Sequence, residues 1–454
     1  MNLAPYPSYQ RTGIQWLSNI PREWTVKRLK WSVDGCFNGV WGEDPDGVDD
    51  VVCLRVADFD RDSYTVGTDS LTFRAIESKQ LASRKLKRGD LLLEKSGGGD
   101  KQLVGCVVYF DHEFDAVCSN FVARMPVAQD HSPRYWAYVH AGLYAGKLTY
   151  PAIKQTTGIQ NLDAALYLDT LAAYPPFEQQ QQIAAFLDWK TSQIDALIAK
   201  KQELLEKLKE KRLAVITQAV TKGLNPDAPM RDSGIAWLGD VPVHWEVKRL
   251  KFVARIGNGS TPNREDPAYW DDGVYPWLNS SVVNQEAVTS AVQFVTPLAL
   301  AECHLPCIQP PAVLVGITGQ GRTRGMASTL LFEATINQHL AYVKPDEAKA
   351  VVGFLRRVFD MAYSHLRSES ENGGSTKGAI TCEQIAELPV PVPPLVEQLA
   401  ISAYVDTTLA KLGRMAENAE SAITRLTEYR TALITAATTG KIDVRNWQAT
   451  EKAA

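Results

Sequence analysis

The chain has 454 residues, about three times a single-domain length, so more than one domain is expected. Apolar residues make up 45% and charged residues 22%, a globular balance with ample material for real cores. The net charge of −4 excludes a uniformly basic protein held on nucleic acid by bulk charge, and no apolar run reaches the ~18 residues of a membrane span.

Taken in chain order, the start MNLAPYPSYQ lacks a basic-then-apolar signal pattern, so the expected compartment is the cytoplasm. Residues 13–30, GIQWLSNIPREWTVKRLK, read as a Trp-anchored turn with a strand over its end. Behind them VVCLRV, DLLLEK and LVGCVVYF are broken by Gly and Asp, as strands are, and RYWAYVHAGLYAG reads as a helix. Pro175-Pro176 sets a rigid approach to a long helix with no interior proline. The same succession then repeats: GIAWLGDVPVHWEVKRLK at 234–251, strand-like AVLVGIT, helix-like KAVVGFLRRVFDMAYSHL, Pro393-Pro394 and a second long helix.

The repetition is an internal duplication. Eleven of eighteen positions agree between 13–30 and 234–251, a shift of 221. PPFEQQQQIAAFLD at 175–188 returns as PPLVEQLAISAYVD at 393–406, a shift of 218 that continues through Arg212 facing Arg430 and Thr221 facing Thr439. LLLEKSGGG at 91–99 aligns with VLVGITGQG at 313–321 at a shift of 222, and Asn38-Gly39 with Asn258-Gly259 at 220. So long a period suits two copies of one complete module rather than a solenoid. The expected architecture is mixed α/β: a first body at 1–174, a long helix at 175–222, a linker at 223–231, a second body at 232–392, a second long helix at 393–440 and a tail at 441–454.

Both long helices carry a heptad seam, from Leu187 to Ala219 in the first and from Val405 to Ala437 in the second. At 1.5 Å per residue each makes a rod of roughly 65–70 Å, whose apolar stripe must be buried. The duplicate helix, brought back antiparallel by the body between, is the expected partner. Symmetric pairing would set Ala416 and Ala419 against Leu208 and Leu205.

Several fragments imitate catalytic motifs. Cys303, His304 and Cys307 form the one close cysteine pair, but no second pair completes a four-ligand zinc site. The seven scattered cysteines argue for reduced thiols. Tyr174-Pro175-Pro176-Phe177 resembles a methyltransferase amine-holding loop, yet its first slot lacks a carboxylate or amide, and the duplicate reads Val392-Pro393-Pro394-Leu395. Asp240, Glu246 and Lys248 have the spacing of a metal-dependent nuclease, but the first copy has Asn19, Thr25 and Lys27 there. Neither Lys95–Gly99 nor Thr318–Gly321 fits a Walker loop or a dinucleotide fingerprint. No catalytic centre, metal site or bound cofactor is expected.

Two variable bodies, each opened by G-I-x-W-L-x-x-[IV]-P-x-x-W and closed by a P-P-[FL]-x-[EQ]-Q helix, resemble the specificity (S) subunit of type I restriction-modification systems. The body motifs GNGSTPNREDPAYW and TGQGRTRG carry the resemblance too, which covers nearly the whole chain; Gln179 departs from it where the second copy has Glu397. The resemblance implies a non-catalytic DNA-binding subunit whose bodies are target recognition domains, each reading half of a split, asymmetric site. The coiled-coil helices act as a ruler for the unread spacer. They also dock two methyltransferase (M) subunits that modify adenine N6, joined by motor-nuclease (R) subunits. S-adenosylmethionine, ATP and Mg belong on those partners.

Base reading needs Arg, Asn or Gln donors, with Lys and Ser on phosphates. Asn258, Ser260, Thr261, Arg264, Gln320, Arg322, Thr323 and Arg324 are the candidates in the second body, and Asn38, Lys95, Ser96, Asn120 and Arg124 in the first. A coiled-coil scaffold with two protein- or ligand-binding modules is the alternative, separated by whether DNA binding is strongly salt-dependent.

Overall fold

The computed structural model describes residues 4–48, 50–99, 102–155, 158–319, 321–372 and 378–448. The first body contributes β1 (Thr25–Arg28), β2 (Phe37–Asn38), β3 (Phe59–Asp60), β4 (Thr65–Val66), β5 (Leu91–Glu94), β6 (Val107–Tyr109), β7 (Val122–Met125), α1 (Pro133–Ala145) and β8 (Leu171–Tyr174), followed by the long helix α2 (Phe177–Lys222). The second contributes β9 (Glu246–Arg249), β10 (Ala254–Asn258), β11 (Ala287–Val288), β12 (Ala312–Gly316), β13 (Ala327–Leu330), β14 (Leu340–Pro345), α3 (Val352–Asn372) and β15 (Pro389–Val392), followed by α4 (Leu395–Thr438).

The two bodies share one sheet topology. The first sheet runs β2-β7-β5-β6-β4-β3 and the second β10-β14-β12-β13-β11. Neighbours are antiparallel except for one parallel step in each, β6 beside β4 and β13 beside β11. β5 and β12 lie inside their sheets and are buried along their whole length, which is why LLLE and AVLVG are near-continuous apolar runs. Each VKR segment is an edge ribbon, β1 on β8 and β9 on β15, that ties the start of a body to the strand before its long helix. α1 lies against β6 and α3 against β13. Ser132 caps α1 by accepting from the Tyr135 N–H, with Pro133 at the first helical position.

The chain divides into two compact units, Met1–Lys201 with Ser421–Ala454, and Gln202–Glu420. The division runs through both long helices rather than at their ends, because each helix packs half its length on one body and half on the other. In the first unit Ile183, Phe186 and Leu187 of α2 share a core with Leu433, Ile434 and Ala437 of α4 and with Trp24, Tyr135 and Trp136. In the second, Ile216, Ala219 and Val220 of α2 share a core with Ile401, Val405 and Leu409 of α4 and with Trp245, Phe354 and Phe359. The helices are therefore antiparallel within each unit, as their seams predict. In the second unit Leu205 and Leu208 line one cleft with Leu412, Gly413 and Ala416.

Candidate nucleic-acid interface

Most sequence-predicted residues of the first body gather at one end of its sheet. Asn38 ends β2, Lys95 and Ser96 follow β5, and Asn120 precedes β7. The strand pairing brings them together: the Lys95 N–H donates to the Phe121 carbonyl at 2.8 Å, and the Lys95 ammonium donates to Asn38 Oδ1 at 2.6 Å. Ser96 donates to Asn161, and the Arg84 guanidinium to the Asn38 carbonyl. Asn38, Asn120, Phe121 and Asn161 are exposed.

The second body repeats the construction. Asn258 ends β10, Thr318 follows β12, and Gln338 and His339 precede β14. The Ile317 N–H donates to the His339 carbonyl at 3.0 Å, the counterpart of the bond from Lys95 to Phe121. Thr261 donates to Gln338 Oε1, and the Thr318 hydroxyl lies 2.7 Å from His339 Nδ1. Ser260 is held by its backbone, donating to the Ile336 carbonyl at 3.1 Å and accepting from the Trp277 indole at 3.1 Å. The repeated Asn-Gly has a steric cause: a Cβ at Gly39 would lie 2.0 Å from the Cys118 carbonyl oxygen, and one at Gly259 1.7 Å from that of Ile336.

Two of the predicted residues lie below the surface. Arg124 points from β7 into a buried ion pair, its Nε 2.6 Å from Asp90, with side chains 14% and 6% exposed. Arg324 is 4% exposed and donates to Glu371 at 2.6 Å. Each buried guanidinium is paired with a carboxylate, as a charge removed from water requires. Arg264 is exposed but stacked, its guanidinium carbon 4.1 Å from the ring centre of Trp270 and 4.5 Å from that of Trp277. Arg322 is exposed and Thr323 half-buried. Gln320 lies outside the described residues. The loop is braced from α3, where Tyr363 donates to the Arg322 carbonyl at 2.8 Å and Arg367 to the Gly321 carbonyl at 2.8 Å.

The glycine-rich turn after β5 uses its own amides, Gly99 donating to the Gln102 carbonyl and Gln102 back to that of Gly99. Beneath it Glu94 is fully buried; burial pushes its carboxyl up, partly offset by the Arg61 guanidinium at 2.9 Å. Among the described residues no group of three or more His, Cys, Asp or Glu is placed to hold a metal, and no helix is long and apolar enough to cross a membrane.

The fixed motifs build one joint twice. Gln180 and Gln398, both 1% exposed, sit one turn into their helices. Gln180 accepts from the Ser132 N–H at 3.0 Å and donates to the Pro175 carbonyl; Gln398 accepts from the Val351 N–H at 2.8 Å and donates to the Pro393 and Lys349 carbonyls. Two turns on, Asp188 accepts from Arg134 and Tyr138, and Asp406 from Arg357. The opening tryptophans close the joint, Trp24 donating to Gln179 at 2.8 Å and Trp245 to Glu397 at 2.9 Å. Gln and Glu interchange in that slot because the indole needs only an acceptor oxygen.

Residues 242–421 match the family model of the type I restriction modification DNA specificity domain. Over 393 residues the chain is 23% identical to the type I restriction enzyme MjaX specificity subunit of Methanocaldococcus jannaschii, covering 85% of this chain and 87% of that one. The chain is similar to type I restriction-modification specificity subunits, and its match to the family model lies in the second half. The first half repeats the sheet order and the joint of that matched half. The type I restriction enzyme EcoR124I/EcoR124II specificity subunit of Escherichia coli is a further relative, 24% identical over 162 residues, or 36% of this chain and 40% of that one.

The fold of this chain is shared by two solved structures. A chain from a study of complex assembly and conformational transition of the type I R-M system aligns with a TM-score of 0.69 at 16% identity, covering 92% of this chain and 98% of that one. The HsdS subunit from Thermoanaerobacter tengcongensis aligns with a TM-score of 0.54 at 16% identity, covering 93% and 98%. Sequence reading missed Gln338, His339, Phe121 and Asn161. They become candidates only once strand register sets them beside residues 77, 21, 26 and 65 positions away, at Thr261, Thr318, Lys95 and Ser96.

Proposed function

We propose that this chain is the DNA-reading subunit of a type I restriction-modification complex, each body reading one half of a bipartite, asymmetric site. The observation that carries this is the pair of equivalent sheet ends, where Asn38, Lys95, Ser96 and Asn120, and in the second body Asn258, Thr261, Gln338 and His339, are gathered by the same backbone bond. Amide and hydroxyl side chains on a rigid sheet end suit base edges, and Lys95 suits phosphate. The two sheet ends differ in every one of these side chains except the leading Asn, which suits different half-sites. On this reading α2 and α4 set the unread spacer and dock two methyltransferase subunits. Those subunits hold S-adenosylmethionine and methylate adenine N6, while motor-nuclease subunits use ATP and Mg to cut unmodified DNA. The chain itself binds no cofactor, catalyses nothing and works in the cytoplasm. Mapping methyladenine in cells with and without the gene tests the proposal. Loss of one bipartite motif is expected, and an identical methylation pattern would overturn it.

A further inference from the structure

Arg212 and Arg430 fill the same slot of the two long helices, a shift of 218 apart, and Tyr64 and Glu286 the same slot of the two bodies, a shift of 222 apart. The structure joins these slots crosswise. In the second unit Arg212 of α2, the helix that closes the first copy, pairs with Glu286, just before β11 of the second body. In the first unit Arg430 of α4, the helix that closes the second copy, packs its guanidinium carbon 5.8 Å from the ring centre of Tyr64, just before β4 of the first body.

Neither contact is isolated. Glu286 lies 3.0 Å from Arg357 and 3.5 Å from Arg356 on α3, and Arg357 reaches Asp406 on α4 at 2.7 Å. One network therefore links α2, the loop before β11, α3 and α4. Its arginines 212, 356 and 357 meet Glu286, Asp360 and Asp406, three charges against three, so it is built to hold elements together rather than to capture an anion. Arg430, with its side chain 8% exposed, is itself fixed by Asp195 of α2 at 2.9 Å.

Each body is thus held by its own helix through the Gln180 or Gln398 joint and by the other copy's helix, which shares its apolar core. The contact at Tyr64 or Glu286 lies one turn further along that second helix, where it resists turning of the body about the non-directional apolar contact. We infer that Arg212 and Arg430 are positioning residues that stop each body turning on the helix pair, and so fix the spacer at which two half-sites are accepted.

This rests on the DNA-reading function proposed above. The test uses the full chain assembled with its methyltransferase subunits, as wild type, Arg212→Ala and Arg212→Lys. Affinity is measured for duplexes with both half-sites intact and the spacer native, one base pair longer or one shorter. Arg212→Ala is expected to cut the preference for the native spacer about three- to fivefold while each half-site keeps its bases, with Arg212→Lys between. An unchanged spacer preference in a folded Arg212→Ala complex overturns the inference, as does a lowered melting temperature with no change in that preference. Tyr64→Ala gives the same readout in the first unit if Arg212→Ala does not assemble. A wild-type complex that binds no bipartite duplex would instead defeat the DNA-reading function itself.

Discussion

Gln338 is exposed at the end of the second sheet, its carbonyl oxygen taken by Thr261 and its amide nitrogen facing only the His339 ring at 3.5 Å. A Gln amide in that state has donors for a base edge, and a good bidentate contact is worth about 1–3 kcal/mol of discrimination. Gln338→Ala should therefore weaken discrimination at the second half-site about 10- to 100-fold and leave the first untouched, read by competition with duplexes altered in one half at a time. Full discrimination at both halves would remove Gln338 from the reading surface. His140 acts on stability instead. It is fully buried on α1, its Nδ1 2.5 Å from the Tyr167 hydroxyl, and burial pushes its pKa down to about 3. The unfolded chain binds a proton there near pH 6.5 and the folded chain does not, so stability present above pH 6.5 is lost as pH falls toward 3. Between pH 6.5 and 5 that amounts to about 2 kcal/mol, and His140→Phe should flatten the fall in melting temperature with acidification. A variant with the wild-type slope would show that His140 titrates in the folded chain.

At the scale of elements, the joint between body and long helix rests on one amide. Gln398→Ala frees the Val351 N–H and the Pro393 carbonyl in a buried place, a cost of about 2–3 kcal/mol. Denaturant unfolding should show that loss, with Gln180→Ala giving a similar one. A change below about 0.5 kcal/mol would mean water replaces the amide. Strands and helices were legible in the sequence because two copies gave independent versions of the same constraint; the joint was not, because Gln180 and Gln398 stand in Gln-rich helix starts and only the fold shows their backbone partners. The reading surface was legible only in part, because it lies where the copies differ. Arg124 and Arg324 looked free since their acids, Asp90 and Glu371, are 34 and 47 residues away. Gln338 looked unremarkable because only strand register sets it beside Thr261.

For the whole molecule, the ruler role proposed for the long helices makes their length the variable to test. A matched insertion of four residues in α2 and α4 adds ~6 Å, close to two base pairs of DNA at ~3.4 Å each. The insertion should shift the methylated motif to a longer spacer with both half-sites unchanged, read by sequencing methyladenine. Altered half-site bases at an unchanged spacer would refute the ruler. The division into units also sets an order of assembly during synthesis. Gln202–Glu420 is one continuous stretch, whereas the first unit takes Leu433, Ile434, Ala437 and Val444 into its core. On the ribosome the first body is made early, but the side of its core that α4 covers stays open until Leu433, 246 residues after Leu187, has been added. The half encoded second is the half that closes first, and the early half passes through that interval as the aggregation-prone partner.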